Sequence, residues 1–249
     1  MAQIVAMHSY RGGTGKSSAA ANMAFLATRE GLRVGLVDTD LQAPDAHVLL
    51  GMRDVSARCS LTDYLVGRCE IEDAASPVTY RDGTGELYLV PARGRVGDIN
   101  EIMNRGYDVG LLPEGFKRLI DKFSLDVLFL DTHAGVGNET VVSVASADSV
   151  IIVTRSDHLI VEAEQTTSIA SRLAHGRHLV VVNMLPDCLS SDVVIRQAEE
   201  IYSSPVAAVL PYYPDMAALG SQCLFARDYP DHQIVMHYRK AAASILLNR

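Results

Sequence analysis

Residues 10–18 read Tyr-Arg-Gly-Gly-Thr-Gly-Lys-Ser-Ser, which places three glycines, an ammonium and three aliphatic hydroxyls within nine positions. Glycines let a backbone curl until successive N–H groups face one anion. An ammonium offsets the anion's charge, and a hydroxyl can ligate a hard cation such as Mg²⁺. The short apolar run Ile4-Val5-Ala6-Met7 precedes this stretch, and a helical pattern starts near Lys16. A strand, a glycine-rich loop and a helix in that order form the setting of a phosphate-binding loop. The helix adds the positive end of its dipole. On this reading Gly12, Gly13, Thr14, Gly15 and Ser18 line the phosphates, Lys16 reaches the β- and γ-phosphates, and Ser17 ligates Mg²⁺. Tyr10 stands where the usual G-x-x-x-x-G-K-[ST] pattern has its first glycine.

Two further stretches supply carboxylates. The run Arg33–Asp38 continues as Asp38-Thr39-Asp40, and Asp126-Val127-Leu128-Phe129-Leu130-Asp131 is an apolar strand pattern ending in an acid. Ligands of open parallel sheets sit beyond the carboxyl ends of the strands, so these acids should lie near the phosphate loop. Phosphoryl transfer needs acids there to position the metal, and Asp131 has the Walker B form.

Arg11, just ahead of Gly12-Gly13 and five positions before Lys16, is a second basic residue of the loop. In this the loop resembles the deviant Walker A loop of the ParA/MinD ATPases, which usually reads K-G-G-x-G-K-[ST]. Arg11 takes the place of the signature lysine. The resemblance implies that this residue crosses a nucleotide-sandwich dimer to the partner's phosphates, and arginine keeps both the charge and a phosphate-matching fork. Asp38-Thr39-Asp40 resembles the family's first switch, which implies that Asp40 positions the catalytic water and Asp38 supports Mg²⁺ and its water shell. Pro44-Asp45 and Val48-Leu49-Leu50-Gly51 also look like the MinD and Mrp-type branches.

Asp131-Thr132-His133-Ala134-Gly135 resembles the second switch, D-[ST]-P-A-G, with His133 in place of proline. Gly135 would then offer its N–H to the γ-phosphate. Asn183, ending Val180-Val181-Val182, matches the adenine-reading Asn of the family, and an amide can pair with adenine's donor and acceptor. Leu210-Pro211-Tyr212-Tyr213-Pro214-Asp215 resembles the loop whose backbone helps hold the base, with Pro211 the matched position. The resemblance runs from about Gln3 to Leu246.

The elements that must position these groups follow from apolar patterning. Strand-like runs cover Gln3–His8, Arg33–Asp38, Glu86–Pro91, Asp126–Asp131, Ser149–Thr154, His178–Asn183 and Val206–Leu210. Most are apolar throughout, as strands buried on both faces are. Helical patterns lie between them at Lys16–Glu30, Ser60–Val66, Pro113–Phe123, Glu139–Ala145, Asp157–Ala174, Asp192–Tyr202 and Asp231–Leu247. The alternation predicts an α/β fold, a mostly parallel twisted sheet flanked by helices in one domain spanning 1–249. The resemblance implies a P-loop NTPase fold of the nitrogenase-iron-protein-like, MinD-like kind. Residues Arg53–Ala75 and Arg93–Leu112 carry the least pattern and read as a mobile surface or a partner site.

Composition bounds the partners. The 249 residues are 48% hydrophobic and 21% charged, an ordinary globular balance. No apolar run approaches the length of a membrane span. The opening Met-Ala-Gln-Ile-Val-Ala has no basic region and enters a strand at once, so a cytoplasmic protein is expected. The end, Ser244 to Arg249, leaves no room for an added amphipathic membrane helix, so no direct membrane anchor is expected. Cys59, Cys69, Cys188 and Cys223 form no C-x-x-C and read as reduced packing residues. A net charge of −8 weighs against nonspecific nucleic-acid binding, and the basic cluster Arg172, His175, Arg177 and His178 reads as a solvated helix end.

The family reading is a regulatory ATPase that uses ATP and Mg²⁺, dimerises in the ATP state, hydrolyses slowly, and regulates or positions an unidentified protein partner. The alternatives are a metabolic or metallocentre-assembly enzyme on the same fold, and a nucleotide-binding scaffold with little turnover.

Overall fold

The seven apolar runs pair as parallel strands. They are β1 (Gln3–His8), β2 (Arg33–Asp38), β4 (Glu86–Val90), β5 (Val127–Asp131), β6 (Ser149–Arg155), β7 (Arg177–Leu185) and β8 (Val206–Pro211). A short strand β3 (Ser76–Val78) adds antiparallel to β4. The order across the sheet is β3-β4-β2-β5-β1-β6-β7-β8. This computed structural model describes residues 2–52, 59–80, 85–94, 106–159 and 176–246.

Side chains alternate between the two sheet faces, and both faces are covered. Val5 and Met7 of β1, with Val127 and Phe129 of β5, enter one core. Ala6, Leu128 and Leu130 enter the other. This double burial explains why the strands read as continuous apolar runs. The first core is capped by α1 (Lys16–Arg29) and the last helix, Gln233–Leu246. The second is capped by α5 (Leu111–Phe123), α6 (Asn138–Ala145) and α7 (Ser191–Tyr202). Ala19, Ala20, Ala21, Ala24 and Ala27 are buried along α1. They are strong helix formers whose small side chains admit neighbours on several sides.

From β1 the chain first builds outward through β2 and β4, then returns through β5 and continues on the other side through β6, β7 and β8. The carboxyl ends of β1 and β5 therefore border the crevice of an open α/β sheet where ligands bind.

Three local departures from the sequence expectation stand out. Strand β3 was not predicted, being three residues with Pro77 at its centre, and a residue without an N–H is tolerated at such an edge. The helix expected at Ser60–Val66 is present as α3 (Leu61–Leu65), but the stretch after it, expected as mobile surface or a partner site, holds a further short helix, α4 (Ile71–Ala74). Ser60 and Asp63 form a reciprocal capping box at the start of α3. Asp63 also takes Arg93 at 2.6 Å and Arg68 at 3.1 Å, while Leu61, Tyr64, Leu65 and Ile71 are buried. Arg177 and His178 open strand β7 and do not end a helix. The predicted helix Asp157–Ala174 lies almost wholly outside the described residues, as do Arg172 and His175. Among the described residues no helix is long and apolar enough to cross a membrane.

Candidate nucleotide site

Register places the acids side by side. Asp38 ends β2 directly opposite Asp131 of β5, and Asp131 in turn lies opposite Met7 of β1. The glycine loop leaves β1 immediately beyond. Thr39 N–H donates to the Asp131 carbonyl at 2.9 Å, and Thr132 N–H to the Met7 carbonyl at 3.2 Å, so the strand pairing extends into both switch loops.

The loop needs its glycines for two separate reasons. Gly13 and Gly15 adopt left-handed φ of 77° and 81°, and this region is strained for other residues. A Cβ on Gly15 would also stand 2.3 Å from Asn183 Nδ2. That close approach serves a hydrogen bond, since Asn183 Nδ2 donates to the Thr14 carbonyl at 2.8 Å. The amide oxygen accepts from Met184 N–H at 2.9 Å. Asn183 therefore fastens the loop to the end of β7, and its amide retains one N–H and one lone pair for a base.

Lys16 Nζ lies 2.5 Å from Asp131 Oδ1, with the two side chains only 7% and 1% exposed. Burial alone would lower the lysine pKa, but the Asp131 charge and hydrogen bond, with Asp38 and Asp40 adding, hold it above its usual value. Asp38 is pushed well above the ordinary carboxylate range by burial and then by Asp131, with Lys16 opposing. Its Oδ1 accepts from Asp40 N–H at 3.0 Å and its Oδ2 from Ala46 N–H at 3.2 Å. Asp131 Oδ2 is buried with no partner at all.

Asp40 Oδ1 accepts from Ala43 N–H at 2.9 Å and Gln42 N–H at 3.2 Å, which shapes its own loop. His133 Nδ1 lies 3.0 Å from the same oxygen, at ion-pair distance but without an aligned hydrogen bond. Asp40, Asp45, Lys16, Ser17, Ser18 and the loop glycines line one cavity of about 310 Å³. A second cavity of about 280 Å³ is lined by Asn183, Pro211, Tyr212, Tyr213, Ile234 and Tyr238. Gly15, Ser18 and Met184 line both, so a polar and an apolar chamber meet at the start of α1.

Two expected residues stand apart in this conformation. Gly135 donates its N–H to the Ser9 carbonyl at 2.9 Å, while Ala134 lines the cavity. Arg11 is exposed at the lip of the loop, its carbonyl accepting from Ser9 Oγ at 3.0 Å. Three residues that sequence reasoning did not assign lie in or beside the site. Asp45 lines the phosphate cavity together with Ser17. Tyr238, from the last helix, lines the apolar chamber with its buried hydroxyl unpartnered. His8, wholly buried at the end of β1, has its pKa lowered to about 4 by burial and then by Lys16. His8 and Tyr238 carried no signal, and Asp45 only its place in the Pro44-Asp45 resemblance, because the six residues between Asp38 and Asp45 say nothing of a loop folding back to the phosphate cavity.

A protein-family model described as ParA, an NUBPL iron-transfer P-loop NTPase, matches residues 1–221. The chain belongs to the ParA/MinD family of P-loop ATPases. It is 25% identical to an uncharacterized ATP-binding protein of Methanocaldococcus jannaschii over 99% of this chain and 88% of that one. It is 33% identical to the antiactivator FleN of Pseudomonas aeruginosa, over 61% of this chain and only half of FleN. The septum site-determining protein MinD of Pyrococcus horikoshii, solved in complex with Mg-ADP, shares the fold with a TM-score of 0.80. It is 23% identical, with 98% of this chain and 96% of that chain covered.

Proteins of the ParA/MinD family bind ATP with Mg²⁺, and the residues here fit that cation. Asp131 Oδ2 is a buried carboxylate oxygen with no hydrogen-bond partner, and Lys16, which Asp131 Oδ1 holds, lines the phosphate cavity with Ser17. Among the described residues no cluster of three or more His, Cys, Asp or Glu side chains forms a metal cage. Mg²⁺ in nucleotide sites is held by one or two carboxylates plus phosphates and water, and needs no such cage.

Proposed function

We propose that this protein binds Mg-ATP, closes into a nucleotide-sandwich homodimer, hydrolyses ATP slowly, and through that cycle regulates or positions a partner protein in the cytoplasm. The observation that carries the reading is the convergence of Lys16, Ser17, Asp38, Asp40 and Asp131 on the carboxyl edge of three adjacent central strands, around one loop with left-handed glycines. Bound Mg²⁺ would neutralise charge on the transferring phosphoryl group. Ser17 and Asp131 would hold it, with Asp38 supporting its water shell.

The protein's own groups then divide the work. The loop N–H groups of Gly12 to Ser18 cradle phosphate, helped by the dipole of α1. Lys16, held on Asp131 in this structure, would be drawn to phosphate when nucleotide enters. Asp40 positions the attacking water, and its carboxylate already stands in the phosphate cavity. Arg11, exposed at the lip, would act on a partner subunit's nucleotide. Gly135 would exchange its Ser9 carbonyl for the γ-phosphate, and Pro211 would back the base together with Asn183. Such a cycle switches because γ-phosphate contacts order loops that relax after hydrolysis.

Turnover measured beside ATP-dependent dimerisation by light scattering tests the reading. ATP-driven dimers with slow hydrolysis are expected, and a protein that stays monomeric with saturating ATP would overturn it. The iron-transfer description of the matching family model favours metallocentre assembly as the second reading. Iron and sulfide retained after anaerobic reconstitution, with transfer to an acceptor apoprotein, would select it.

A further inference from the structure

The second switch stretch carries a side chain that the proposed chemistry leaves unused. His133 stands where the resembled motif has proline, a residue with no side-chain donor. Its backbone is pinned, because the His133 carbonyl accepts from the Thr132 and Thr140 hydroxyls, each at 3.2 Å. Its ring crosses to the other switch stretch, and Nδ1 lies 3.0 Å from Asp40 Oδ1. Nδ1 is buried and has no aligned hydrogen bond in this conformation. Buried polar atoms are normally partnered. The Asp40 oxygen already stands at hydrogen-bond distance, so a small turn of the ring completes the bond. Hydrogen bonds of catalytic groups are often misaligned before substrate enters and tighten once it does.

Asp40 is held on one side. Its Oδ1 accepts from Gln42 and Ala43 N–H on its own loop and faces His133, and no described residue donates to Oδ2. Asp40 lines the phosphate cavity, as does Ala134, while His133 does not. The histidine therefore bears on the cavity through the Asp40 carboxylate and not by touching what the cavity holds.

We infer that His133 is a positioning residue for Asp40, fastening Oδ1 through a proton on Nδ1 and so leaving Oδ2 turned to the water that Asp40 would position. The inference rests on the nucleotide reading above. It joins the two switch stretches at the acid, so the second sets the angle of a carboxylate on the first. The role needs an N–H at that place and not a charge. Asparagine can fill it, because its amide nitrogen branches as far from the backbone as Nδ1 does.

Two measurements on the full chain test it. Long-range ¹H–¹⁵N spectra of histidine-labelled protein, without nucleotide and at about pH 8, where an ordinary imidazole is neutral, report which ring nitrogen carries the proton. His133→Asn assigns the signal. The proton is expected on Nδ1 in the parent and on Nε2 in Asp40→Ala. ATP turnover, beside calorimetry of a non-hydrolysable analogue, reads the consequence. His133→Leu is expected to lower kcat about tenfold, short of the roughly hundredfold that an ångström of misplacement can cost, with KM and analogue affinity near the parent's. His133→Asn should keep most of the turnover. In the Asp40→Ala background, His133→Leu should cost almost nothing further. Damage to the fold would instead lower nucleotide affinity together with turnover. If the parent carries the proton on Nε2, or if His133→Leu turns over like the parent, the inference fails while the nucleotide reading stands. If His133→Asn is as slow as His133→Leu, or if the Asp40 and His133 substitutions add fully, the route through an N–H to Asp40 is wrong. If the parent neither binds nor hydrolyses ATP, the functional reading fails first and takes this one with it.

Discussion

The two chambers of the cleft are built on different principles. The phosphate side is a buried charge system in which one ammonium is set among four carboxylates, two of them, Asp38 and Asp131, held opposite each other at the ends of β2 and β5. The base side, between β7, β8 and the last helix, is apolar and aromatic, and its few polar groups are only partly used. Asn183 spends half its amide on the loop, and Tyr238 leaves its hydroxyl unpaired. Charge in a low-dielectric site must be paired almost atom by atom, whereas an apolar pocket tolerates many side chains of suitable size. Substitution should therefore be severe on the first side and graded on the second.

Lys16→Ala should be the most damaging change. It removes the ammonium that offsets the carboxylates and would offset an incoming phosphate. Nucleotide binding should vanish in calorimetry. The fold should persist but lose about 3–5 kcal/mol in chemical denaturation, the usual cost of breaking a buried ion pair. Unchanged ATP affinity would remove the contrast between the chambers altogether.

Arg11→Ala comes next. Arginine fingers contribute on the order of 10³–10⁵ in rate where measured, and a slow switch is expected to show the lower end. ATP-dependent dimers should disappear from light scattering, and Arg11→Lys should retain much of both dimerisation and turnover. Mixing Arg11→Ala with Lys16→Ala subunits should restore activity, because the intact Arg11 then serves the partner's nucleotide. No recovery on mixing would return Arg11 to its own subunit.

Asp40→Ala should leave ATP affinity near the parent's and slow hydrolysis by about 10²-fold, the lower range for a positioned acid–base group. The ATP-bound dimer should then accumulate. Normal turnover would exclude Asp40 from the chemistry.

On the base side, Asn183→Ala should weaken ATP binding by about tenfold, the worth of one or two hydrogen bonds, and narrow the preference for ATP over GTP. Competition binding reads both. A loss as complete as that of Lys16→Ala would show the base chamber to be as tightly specified as the phosphate chamber.

The smallest effect on the site is expected of His8→Gln, which should not alter nucleotide binding at pH 7. Its signature lies in stability. The His8 pKa falls from 6.5 to about 4 on folding, so between those values the unfolded chain binds a proton that the folded chain does not. Stability must then rise with pH across that window, by up to roughly 3 kcal/mol in total. Asp38 and Asp45, whose pKa values are raised, slope the other way, so the check is the difference between parent and variant in denaturation at several pH values. Equal slopes would mean that His8 keeps its ordinary proton affinity.

The legibility of the molecule follows the same division. The seven parallel strands could be read from apolar runs because both faces of the sheet are buried, and the phosphate loop could be read because its backbone geometry demands glycine at fixed offsets. Asp38 and Asp131 were found because each ends such a run. The helix at 61–65 could be read in the pattern of Ser60–Val66, whereas Ile71–Ala74 could not, because four residues carry too little periodicity to register, and strand β3 could not, because three residues around a proline do not look like a strand.

The sequence by itself determined the α/β architecture, the order of its elements, and the loop and acids on the carboxyl edge. Those depend on local spacing, side-chain period and backbone freedom. Only the tertiary structure decided that Asn183 fastens the loop, that Asp45 enters the phosphate cavity, that His133 approaches Asp40, and that Tyr238 underlies the base chamber. Each of those contacts joins residues whose separation along the chain is set by intervening helices and loops. Local pattern carries no record of which side chains then meet across the cleft.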